Sequence, residues 1–165
     1  MKMTTPLAAA TFVAAVVVAN LLVAWLGPWF SPVNAFVLIG LDLSLRDWLH
    51  DRWRRQLWKV GALIVTAGFI SYTLNPAAGR IAVASTAAFV LAASADAAVY
   101  HGLIDRRWAV RANGSNVAGA TVDSIVFPLV AFGWFPGVVA VIALQAAAKL
   151  TGGAVWAAII GHWRA

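Results

Sequence analysis

Six apolar runs divide the chain, at about Leu7–Leu26, Val33–Leu49, Leu57–Leu74, Ile81–Leu103, Val117–Phe132 and Val138–His162. Breakers separate them: Gly27-Pro28 and Ser31-Pro32, then Asn75-Pro76 with Gly79, Asn113-Gly114, and Phe135-Pro136-Gly137. The runs lie near the ~20 residues that a helix needs to cross a hydrocarbon core ~30 Å thick. No water is available there for backbone N–H and C=O groups, so each run must bond internally. Helix is therefore expected even where Val and Ile are frequent. A β-barrel would need alternating polarity in ~10-residue segments, and the runs do not alternate. The pattern predicts a single all-α integral membrane domain over residues 1–165, with six transmembrane helices. No connection exceeds about a dozen residues, which leaves no room for a soluble catalytic or nucleotide-binding domain.

Composition agrees. The 165 residues are 62% hydrophobic and 11% charged, against ~25% charged in a soluble domain, so there is too little polar surface to cover a water-soluble globule. The first run, Leu7–Leu26, is longer than the ~7–15 residues of a signal-peptide apolar region, and it reads as a retained span. With no Cys, disulfides and thiolate metal sites are excluded.

A net charge of +6 could suggest nucleic acid, but the placement of the charges argues for membrane topology. Lys2, Arg52, Arg54, Arg55, Lys59, Arg106, Arg107, Arg111 and Arg164 fall on one side, and the other side has Arg80 alone. The excess of Lys and Arg on cytoplasmic loops then puts both termini in the cytoplasm. Trp25, Trp29, Trp53, Trp58, Trp108, Trp134 and Trp163 sit near run ends, as interfacial anchors do.

Ionisable groups inside spans cost ~2.5–3.5 kcal/mol each at mid-bilayer and mark sites or paired charges. Here they are Asp42, Arg46 and Asp47 in the second run, Asp96 in the fourth, Asp123 in the fifth and Lys149 in the sixth. Asn20, Asn34, Asn116 and Gln145 are neutral companions. Asp42 and Arg46, four apart, share a helix face and can touch; Asp47 and Asp51 should pair with Arg54 and Arg55. Asn116 and Asp123, seven apart, define a polar stripe with Gly119 and Ala120 between them. Gln145 and Lys149 share a face, and Lys149 either neutralises an aspartate or meets a ligand. His50, His101 and His162 are scattered without metal-ligand spacing, so no metal site is expected. No hydrolase, metalloprotease or phosphate-loop motif is present, and neither an enzyme activity nor a cofactor is expected.

Several motifs in order resemble the queuosine precursor transporter family, also called the VUT family. Asp42-Leu43-Ser44-Leu45-Arg46 is similar to its Asp-Leu-Thr-x-Arg. Arg80-Ile81-Ala82-Val83-Ala84-Ser85 is similar to its Arg-Ile-Ala-x-Ala-Ser, with Asp96 sixteen residues after the Arg. Asn113-Gly114-Ser115 followed by Asp123-Ser124 and Phe127 resembles its Gly-Ser…Asp-Ser-x-x-Phe segment, and Lys149 falls where the family carries a Lys in its last span. The resemblance runs from about Asn34 to the sixth span. It implies import of 7-deazaguanine precursors such as preQ0 and preQ1 across the inner membrane. Two positions depart from the pattern: Ala93 and Ala120 stand where relatives often have Gln.

A guanine-like ring offers adjacent N–H donors that one carboxylate can accept as a charge-assisted pair. Asp96 and Asp123 are the candidate acceptors, Lys149 and Asn34 the candidate donors, and Asn116 and Gln145 complete the candidate substrate site. Asp42, Arg46 and Arg80 are candidates for gating or structural ion pairs. The expected partners are a heterocyclic small molecule and the lipid bilayer, not nucleic acid. Small-residue faces such as Gly61 and Gly68 would permit a homodimer. The alternatives are a substrate-binding subunit that needs a separate energising complex, and an importer of another vitamin-like heterocycle.

Overall fold

In the computed structural model, which describes residues 4–53 and 56–162, the first apolar run folds as helix α1, Thr5–Leu26. Pro6 occupies its first turn, where a missing N–H leaves nothing unsatisfied, and Gly27 (φ +78°) ends it. A 3₁₀ turn, Pro28–Phe30, leads into α2, residues 31–52. That helix is built in sections: α-helical Ser31–Asn34, a π-helical turn Ala35–Ile39, and α-helical Gly40–Arg52. Next come α3 (Leu57–Leu74), a 3₁₀ turn (Pro76–Ala78), α4 (Gly79–Gly102), α5 (Trp108–Phe132) and α6 (Val138–His162).

Five helical stretches are long and apolar enough to cross a membrane. The remaining helix, α3, has 18 residues, or ~27 Å at 1.5 Å per residue, at the short end of the spanning range. Among the described residues there is no strand. The protein is an all-α multi-pass membrane protein, as the apolar pattern predicts.

One boundary differs. Asn113-Gly114 was expected to separate two runs, yet α5 begins at Trp108 and passes through both residues. The cause is tertiary. The antiparallel pair α4–α5 packs closely over its length, and a side chain at Gly114 would come within 3.0 Å of Leu103 Cδ1. Close packing outweighs the weak helix propensity of Asn and Gly, and at this position it uses the glycine's small size.

The largest core cluster joins α1, α2 and α3 through Phe12, Leu45, Trp48, Leu49, Val60 and Ile64. A second, at the other end of α1, joins Val23 to Ile81 and Ala84 of α4 and Ala131 of α5. In lipid the hydrophobic effect gives helices little reason to associate, so small residues and buried hydrogen bonds carry the specificity. Trp25, Trp29, Trp58 and Trp134 are exposed, consistent with interfacial anchoring, and Lys59 lies over the rings of Trp53 and Trp58. The Trp108 and Trp163 side chains, and the expected pairing of Asp47 and Asp51 with Arg54 and Arg55, lie outside the described residues.

Asn20 and Ser71 provide a measurable case. Asn20 Nδ2 donates to Ser71 Oγ at 3.2 Å, and both side chains are buried between α1 and α3. Interhelical bonds of this kind couple by ~0.6 kcal/mol on average and at most ~1.7. A double-mutant cycle of Asn20→Ala and Ser71→Ala, read by thermal unfolding in detergent, is expected to return a coupling within that range. Strict additivity would show the bond to be silent.

Candidate functional site

Lys149, on the inward face of α6, is 4% exposed although its charge belongs in water. Three acceptors compensate it. Its Nζ donates to Asp123 Oδ2 of α5 in a direct ion pair, to Ser124 Oγ at 3.3 Å, and to Gln145 Oε1 at 3.3 Å. An ammonium has three N–H donors, so the group is saturated. Ser124 follows Asp123 on α5, and Gln145 lies one turn before Lys149 on α6, which is why the three acceptors converge.

The network extends outward. Gln145 Nε2 donates to Ser31 Oγ at 2.7 Å, and Ser31 Oγ donates to the Pro28 carbonyl at 2.5 Å. Ser31, Ser124 and Gln145 are all buried. Pro128, inside α5 and buried, has no N–H for the Ser124 carbonyl four residues earlier. This leaves a backbone acceptor beside the cluster and a point at which α5 can bend.

The close approach of α2 to α6 brings the two helices together. A Cβ on Gly40 would lie 2.7 Å from the Gly152 carbonyl carbon, and one on Gly152 would strike the Phe36 backbone. Ser44 Oγ shares its one proton between the Gly40 carbonyl at 3.1 Å and the Gly153 carbonyl at 3.3 Å. Phe36 lies in the π-helical turn, a local irregularity frequent at functional sites.

The predicted site residues fall into distinct places. Lys149, Asp123 and Gln145 form one cluster. Asp123 is 26% exposed, and its Oδ1 has no protein donor among the described residues. Asp96 is half-buried on α4, opposite Gly119 of α5; a Cβ at Gly119 would lie 3.4 Å from the Asp96 Cβ. Gly119 is one helical turn from Asp123, so the two carboxylates belong to the same α4–α5 region, and Asp96 has no protein partner among the described residues. Asn34 is buried, with Nδ2 3.5 Å from the Ala19 carbonyl and Oδ1 without a hydrogen-bond partner. In this state it offers an acceptor, where a donor was expected.

Asn116, expected on the same stripe as Asp123, is exposed, two turns (~10 Å) along α5. Of the candidate gating residues, Asp42 is half-buried with Oδ1 shielded from solvent. The Arg46 guanidinium lies 5.9 Å from the Phe89 ring centroid. Arg80 donates to the Val130 carbonyl at 3.2 Å, where a cation complements the C-terminal end of α5.

Sequence reasoning missed Ser31 as a site member. It appears in the chain only as part of a breaker, and its partner Gln145 is 114 residues away. A helical projection from Asn34 back one turn would have brought Ser31 to notice, but nothing local links it to α6.

The model of the "Putative vitamin uptake transporter" family matches residues 4–161. The chain belongs to this family. No curated protein and no solved structure matches it. The match spans all six helices, so this family member is a membrane transporter, and the buried charged cluster lies within the matched region.

Proposed function

We propose that this transporter imports a queuosine precursor, preQ0 or preQ1, or a related 7-deazapurine, across the inner membrane. The observation that carries the reading is the surplus of acceptors over donors among the intramembrane polar groups. Lys149 answers one aspartate, while Asp123 Oδ1 and the whole Asp96 carboxylate keep acceptor capacity inside the membrane domain. The buried Asn34 Oδ1 adds a neutral acceptor. Such a site favours a ligand rich in N–H donors and neutral or cationic overall. A guanine-like edge, with two adjacent donors, fits one carboxylate in a bidentate, charge-assisted pair. The motif resemblance points to the same substrate class. Transport then proceeds by alternating access, with helices moving around a site near the midplane.

Uptake of labelled preQ0 by cells that lack their own importer tests this reading. The protein expressed alone is expected to restore uptake, and Asp123→Asn and Asp96→Asn are each expected to lower it by about tenfold or more. That is the loss from weakening one hydrogen-bonded charge contact of ~1.5–3 kcal/mol. Full uptake by a correctly folded Asp123→Asn protein would remove Asp123 from the site. Substrate binding without uptake would favour a subunit that needs an energising complex.

A further inference from the structure

A side-chain amide can be turned either way, and only its partners decide which end is the acceptor. The Ser31 hydroxyl has a single proton, and its 2.5 Å bond to the Pro28 carbonyl uses it. Ser31 can therefore offer Gln145 only lone pairs, and the Gln145 NH₂ must face it. The amide oxygen is then left for Lys149, at 3.3 Å. Without the Ser31 hydroxyl, the amide loses the acceptor on its NH₂ side, and the single 3.3 Å contact with Lys149 is left to orient it. The order of the whole chain, from the Pro28 carbonyl to the Asp123 carboxylate, therefore begins at a residue that touches neither charge.

We propose that Ser31 is a positioning residue of the transport site, acting through Gln145 to hold Lys149 on Asp123 and so keep that carboxylate's second oxygen free for a donor-bearing ligand. This rests on the reading of Asp123 as a ligand contact. Ser31 stands at the junction of the Pro28–Phe30 turn and α2. The same hydrogen bond therefore ties the start of α2 to α6 above the ion pair.

The chain contains three lysines, Lys2, Lys59 and Lys149, so a Lys2→Arg, Lys59→Arg protein labelled with ¹⁵N at lysine reports Lys149 alone. A slowly exchanging ammonium signal is expected from its three bonds. Ser31→Ala is expected to speed that proton exchange about tenfold, the equivalent of about 1.4 kcal/mol. In uptake of labelled preQ0, the same variant is expected to raise KM about tenfold and leave the maximal rate within about twofold, since binding geometry rather than the transport step is disturbed. Gln145→Leu should behave similarly, and combining the two should add nothing further, because both act through one bond. Unchanged ammonium exchange in Ser31→Ala overturns the proposal, as does full additivity of the two variants. If the parent protein takes up no preQ0, the substrate reading fails, and the exchange measurement alone decides the role of Ser31.

Discussion

Replacing Lys149 with methionine is expected to destabilise the protein by about 3–5 kcal/mol, the usual cost of removing one partner from a buried charged pair. The reason lies in what the lysine leaves behind. Asp123, Ser124 and Gln145 would each lose a hydrogen bond, and Ser124 and Gln145 are buried where water does not replace it. At ~2–4 °C per kcal/mol for a chain of this size, the midpoint of thermal unfolding in detergent should fall by about 10 °C. Asp123→Asn in the same background removes the orphaned charge, and most of the lost stability should return. Uptake should stay absent in both proteins, because neither has the Lys149–Asp123 pair. A Lys149→Met protein as stable as its parent would show that the ammonium is not held inside the bundle.

The second large effect concerns Gly152, and it separates packing from propensity. A methyl group there would meet the Phe36 carbonyl oxygen, with the Phe36 Cα and carbonyl carbon 3.0 Å away. All of these are backbone atoms, so no side chain can swing aside and α2 must move off α6. Gly152→Ala is expected to cost ~2–3 kcal/mol, at the high end for overpacking. It should also impair transport, since Gly152 lies one turn beyond Lys149. Gly61 is the contrast, with nothing within 4 Å of a Cβ placed on it. Gly61→Ala is expected to be neutral or to stabilise α3 by ~0.5–1 kcal/mol, the ordinary helix preference for Ala. Thermal unfolding of the two variants side by side checks both. Equal midpoints would mean that the backbone contact between α2 and α6 does not constrain the fold.

The chain by itself determined that six apolar runs become membrane helices, because hydrocarbon leaves the backbone no alternative to internal hydrogen bonds. It also singled out Asp42, Asp96, Asp123 and Lys149 as residues needing an explanation, since charge within such runs is costly wherever the helices end up. A helical projection placed Gln145 beside Lys149 correctly, because one turn of helix is local geometry. It could not choose between Asp96 and Asp123 as the partner of Lys149, nor could it show that Asn116, on the Asp123 stripe, would be exposed. Periodicity gives the direction of a face, not the helix that covers it.

Those choices belonged to the tertiary structure. Helix association in lipid turns on close fit and on satisfying buried polar groups, and both depend on residues far apart in sequence. Gly40 against Gly152 sets how near α2 comes to α6, and that approach accompanies the bonding of Ser31 to Gln145. The start of α5 at Trp108 was decided in the same way, by the packing of α4 against a glycine that reads locally as a breaker. Lys149 with Asp123, and Ser31 with Gln145, are the pairings on which the site depends, and neither exists until the helices meet.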